Sequence, residues 1–142
     1  LSHIVVDPVR IGIGFLAFAA SFLFFTGMLV AIGAAVPTAK EAGSFFATVI
    51  ILLFAPLYAA SMLVSTPDAL PSKILTYFPL TSPIPLMLRN AIGNLSAMDA
   101  AISISILTVC AVIAIMMGVR LFRFGALEYS RKLSLREIFT RK

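Results

Sequence analysis

Arg89 is the residue with the most chemistry to offer. It stands in the segment Ser82–Gly93, where Ile84, Met87, Leu88, Ala91 and Ile92 recur at the spacing of one helical face. Arg89 falls off that stripe. A guanidinium keeps its charge and presents a planar fork of N–H donors. In an apolar segment it therefore needs phosphate headgroups, a carboxylate, or the free carbonyls of a preceding half-helix. Ser82 can cap this helix and Pro83 suits its first position. Just upstream, Leu70, Ile74, Tyr77 and Phe78 share one face of another short helical piece. Tyr77, Ser82, Pro83, Met87 and Arg89 are thus the candidate site residues here. Arg89 reads either as an interfacial anchor or as a functional group.

Other chemistry is missing. The serines and threonines have no His or acid partner at a spacing that suggests a nucleophile. His3 is solitary, and Cys110 is the sole cysteine, so neither a metal-ligand pattern nor an intrachain disulfide is expected. Cys110 reads as a small packing residue. No G-x-x-x-x-G-K-[ST] loop is present, so ATP cannot bind here by that route. No charged residue or histidine lies within Ile11–Val36, Phe45–Val64 or Ala100–Val119, which argues against a proton relay through them.

The elements that position these residues follow from composition. Of 142 residues, 61% are hydrophobic and 12% charged, against roughly 25% charged in soluble domains. The solvent must be largely lipid. Three runs, about 11–36, 44–64 and 99–119, are long enough to cross a hydrocarbon core of about 30 Å. Pro37 ends the first run, in which Gly27, Ala31 and Ala35 would let another helix approach closely. Thr38 to Glu41 forms a capping box for the second, and Pro56 should kink it. Ser96 to Asp99 forms a capping box for the third. The pieces between, 66–95, are too short to span and are expected to form a re-entrant or interfacial hairpin. The fold class is all-α: three spans, an external hairpin and a short amphipathic tail helix from Leu135, started by a Ser134–Glu137 capping box.

Charge orients the bundle. Seven of the eleven basic residues lie in 120–142, after the last span, which marks the cytoplasmic side. Alternation then places Thr38–Gly43 inside and Ser65–Asp99 outside, where Lys73 and Arg89 balance Asp68 and Asp99. Lys40, Glu41, Arg131, Arg136 and Glu137 are the candidates for cytoplasmic docking. The net charge of +5 does not point to nucleic acid, because no nucleic-acid-binding motif accompanies it.

Taken in order, four stretches resemble the C-terminal half of an ABC transporter permease of the type-2 (ABC-2) family, in the sodium- and drug-export group that includes NatB. They are the span ending "AIGAAVPTAKEAGSF", the loop "STPDALPSKILTYFPLTSPIPLMLRNAIG", the last span, and the tail "RLFRFGALEYSRKLSLREIF". The resemblance implies six spans with an extracytoplasmic hairpin between the last two. It implies a permease without catalysis of its own in a cell membrane, working with an ABC ATP-binding subunit that carries ATP and Mg. It also implies a second permease subunit or an N-terminal half. The chain opens at Leu1 rather than methionine and lacks three family spans, so a truncated chain is expected. The alternative is a small non-transporting membrane protein, such as an anchor or assembly factor.

Overall fold

A computed structural model describes the backbone of residues 7–140 and the side chains of residues 7–124. Helix α1 (Pro8–Ala35) starts earlier than Ile11 because Asp7 caps it: the carboxylate accepts from the Val9 amide at 3.0 Å. Pro8 fills the first position, where a missing N–H costs nothing. Thr38 caps α2 (Ala39–Phe54) by accepting from the Glu41 amide at 3.3 Å. Pro56 then turns the chain into a 3-10 segment, Ala55–Ala59, before α3 (Ala60–Ser65) resumes. Its ring removes one donor and crowds the preceding turn.

Two short helices follow, α4 (Leu70–Tyr77) and α5 (Pro83–Ile92). Gly93 ends α5 in the left-handed region, φ 80°, and its amide donates to the Arg89 carbonyl at 3.0 Å. Helix α6 runs unbroken from Ala97 to Thr140. This corrects the expected tail: no separate helix begins near Leu135, and Ser134 and Glu137 lie inside α6 rather than at a start. The side chains of Arg131, Arg136 and Glu137 lie outside the described residues.

Three stretches are long and apolar enough to cross a membrane: Pro8–Ala35, Ala39–Ser65 and Ala97–Phe124. Spans α1 and α6 run parallel, since Gly27 lies beside Ala114 and Ile115 while Gly118 lies beside Val30 and Ala31. Their shared core comprises Ala17, Ala20, Phe24, Leu107 and Ala111, with Leu86 of α5 inserted among them and Cys110 packed at the edge. Lipid gives no hydrophobic drive for helix association, so close backbone approach through small residues carries the packing. Of the expected stripe, Gly27 is buried in this contact, Ala31 is half-buried and Ala35 is exposed.

Burial is inverted relative to a soluble protein. Phe15, Phe22, Ile51 and Val109 are exposed, whereas Ser72, Thr76, Ser82, Arg89, Asp99 and Ser103 are buried. Apolar outside and polar inside is the arrangement a bilayer requires.

Candidate functional site

The hairpin α4–α5 sits at the end of the bundle where α1 and α6 both begin. Helix α4 turns its apolar residues Leu70, Ile74 and Phe78 outward and its hydroxyls inward. Ser72 and Thr76, one turn apart, are fully buried. The Ser72 hydroxyl donates to the Thr66 carbonyl at 2.8 Å, and Thr76 to the Ser72 carbonyl at 2.7 Å. Across the hairpin, the Ser82 hydroxyl donates to the Thr76 carbonyl at 2.6 Å. Ser82 therefore does not cap α5 with its side chain; it has helical backbone angles and stitches α5 to α4.

Arg89 is 1% exposed, which rules out contact with headgroups. One terminal nitrogen donates to the Thr76 hydroxyl at 3.1 Å. The other donates to the Asp99 carboxylate at 3.1 Å and the Asn94 carbonyl at 3.3 Å. The Tyr77 hydroxyl donates to the other oxygen of Asp99. The Asp99 amide in turn donates to the Ser96 hydroxyl at 3.0 Å. Only half of that expected capping box forms, because Tyr77 and Arg89 hold the Asp99 carboxylate. Hydrogen bonding to Asp99, then burial, holds the Tyr77 phenol above its ordinary pKa of 10.0.

One carboxylate thus joins α4, α5 and α6. Removing one partner of a buried ion pair leaves an uncompensated charge, a loss of about 3–5 kcal/mol. Asn90, the next residue, turns the other way and donates to the Arg10 carbonyl of α1 at 2.9 Å. Asn94 donates to the carbonyls of Leu63 and Val64 at the end of α3, at 3.2 and 3.3 Å.

The stripe Ile84, Met87, Leu88, Ala91 and Ile92 does not bury itself in the protein. Pro85, Leu86 and Arg89 are the buried face of α5. Ile84, Met87 and Leu88, with Pro83, line an apolar groove of about 590 Å³ against Phe22 and Phe25 of α1 and Phe54 of α2. Ala91 and Ile92 are exposed. Tyr77, Ser82 and Arg89 are brought together in one polar cluster; Pro83 and Met87 face the groove instead. Lys40 and Glu41 lie exposed in the first turn of α2, apart from this cluster.

Sequence reasoning missed the pairing of Arg89 with Asp99, having read Asp99 as a cap. A signal existed: Lys73, Arg89, Asp68 and Asp99 are the four charges between the second and third spans. Opposite charges flanking the Gly93 turn in so apolar a stretch are candidates for one another.

The geometry is that of a polytopic helical membrane domain with a helical hairpin locked by an internal ion pair. Residues 4–120 match the family described as "ABC-2 family transporter protein". The chain belongs to the ABC-2 transporter family. It is a multi-pass membrane component of that class. An uncharacterized protein of Methanocaldococcus jannaschii is 26% identical over 121 residues, 85% of this chain. The chain spans 30% of that relative's length. No solved structure matches it.

Proposed function

We propose that this chain is the C-terminal permease portion of an ATP-driven exporter, in the sodium- and drug-export group of its family. It moves ions, drugs or other small substrates across the cell membrane. ATP and Mg are bound by a separate ABC subunit, and a second permease subunit or N-terminal half completes the pathway. The C terminus faces the cytoplasm and the hairpin faces outward, where it helps close the external side. Lys40, Glu41, Arg131, Arg136 and Glu137 are the residues assigned to cytoplasmic docking.

The observation that carries this reading is the family match, which covers the first two spans, the hairpin and the third span as far as Arg120. The inverted burial of the hairpin supports it: a surface loop would not hide Arg89 and expose Leu70 and Ile74. Co-purification tests the proposal. The intact membrane protein should retain a P-loop ATPase, and Arg89→Ala should lower export in vesicles while insertion stays normal. A protein that recruits no ATPase and leaves efflux unchanged on deletion would be an anchor or assembly factor instead.

A further inference from the structure

We propose that α2 is a lever that pivots about the 3-10 segment Ala55–Ala59, relative to a rigid block formed by α1, α3, α4, α5 and α6 as far as the Gly118 contact. The motion is a property of the chain itself and does not rest on the transport reading, although a permease could use it.

The block is tied on every side. Spans α1 and α6 meet through Gly27 and Gly118, with backbone against backbone. Leu86 anchors α5 in their core. Asp99 joins α4, α5 and α6, Asn90 reaches α1, and Asn94 and Ser72 hold the end of α3 and the chain beyond it. No comparable tie reaches α2 among the described residues. Val49 is its one buried residue, while Phe45, Ile50, Ile51 and Phe54 are exposed. Its side-chain hydrogen bonds stay within its own cap and turns: Thr38 accepts from the Glu41 amide and Thr48 donates to the Ser44 carbonyl.

The junction between lever and block has the features of a hinge. Pro56 cannot donate to the preceding turn, so the helical ladder is interrupted where α2 ends. The segment is wound as 3-10 helix, which in mid-helix marks a joint or strain. Ala59 leaves the helical region, φ −99° and ψ 12°, immediately before α3 begins. Pro56 itself is buried. On the far side of the joint lies the room for movement: the groove of about 590 Å³ separates Leu53 and Phe54 of α2 from α1 and α5. Its walls are apolar, so a swing into or away from it breaks no hydrogen bond and exposes only hydrocarbon to lipid. The other end of the lever is the exposed turn Thr38–Glu41. A small rotation at Pro56 is thereby enlarged over the length of α2.

Dipolar spectroscopy on nitroxide labels tests this in the intact protein in lipid nanodiscs, in a Cys110→Ala background and without ATP or substrate. One pair, Phe45→Cys with Val112→Cys, reports α2 against α6. A second, Leu23→Cys with Val119→Cys, reports α1 against α6. All four positions are exposed. The first pair should show two distance populations and the second one. Pro56→Ala restores the missing donor, and should collapse the first pair to a single population while leaving the second unchanged. A single population for the α2 pair in the unsubstituted hinge overturns the lever. So do two populations that persist after Pro56→Ala.

Discussion

A methyl group placed on Gly27 of α1 would lie 2.9 Å from the backbone nitrogen of Ile115 in α6. No rotamer change can relieve a clash with backbone. Gly27→Val should therefore force the two parallel spans apart and lower stability by about 1–3 kcal/mol. Gly33→Val, where an added Cβ meets nothing within 4 Å, is the control and should change stability little. Thermal unfolding of both variants in detergent decides: equal losses would mean that the α1–α6 contact is not the close approach described.

The Arg89–Asp99 pair predicts a strong non-additivity. Asp99→Leu leaves a buried guanidinium alone, and Arg89→Met leaves a buried carboxylate. Each should cost about 3–5 kcal/mol. The double variant replaces the pair by hydrocarbon and should recover most of that loss. A double variant as unstable as the sum of the singles would show that the two residues act through separate contacts.

Tyr77 gives a pH dependence with a definite sign. Its hydroxyl donates to Asp99, so the folded protein favours the neutral phenol and its pKa lies above the ordinary 10.0. A group raised on folding contributes stability that is complete below its unfolded pKa and is lost as pH rises through the folded value. Stability should thus fall at alkaline pH beyond about 10, and Tyr77→Phe should remove that slope while costing stability at neutral pH. Absorbance titration of the phenolate supplies the direct readout.

Topology is open to a labelling test at two exposed positions in a Cys110→Ala background. Asp68 lies between α3 and α4, and Ala39 opens α2. An impermeant thiol reagent applied to intact cells should modify Asp68→Cys and spare Ala39→Cys. The reverse pattern would invert the proposed orientation, with the hairpin then inside. Ser72 would be a poor probe, since it is fully buried.

Much of the architecture was legible because lipid simplifies the code. Long uncharged runs, ended by Pro37 and the Thr66-Pro67-Asp68 turn, locate the spans without any knowledge of contacts. Pro56 announces a local backbone event by its own covalent structure. The cluster around Arg89 was not legible to the same degree. An apolar stripe on α5 looks like a core face in any solvent, and periodicity alone cannot say whether protein or lipid covers it. In fact the polar side of α4 and the Arg89 side of α5 turn inward. The tail was misread for a related reason. Ser134 to Glu137 has the composition of a helix start, but a capping box can also be carried inside a helix that has no reason to stop.

The parallel course of α1 and α6 has an electrostatic consequence. Each helix carries about half an elementary positive charge at its N-terminus from its aligned peptide dipoles. Two such ends side by side would repel one another and would present a cationic face to any solute arriving there. The chain answers with one aspartate at each: Asp7 caps α1 and Asp99 lies in the first turn of α6. Both are acids engaged by arginines of the same end, Asp7 with Arg10 at 3.4 Å and Asp99 with Arg89. The four side chains cancel in pairs, so this end of the bundle keeps the roughly one positive charge that the two helix N-termini share. Neutralising either aspartate alone would roughly double that charge, attracting anions and repelling cations more strongly.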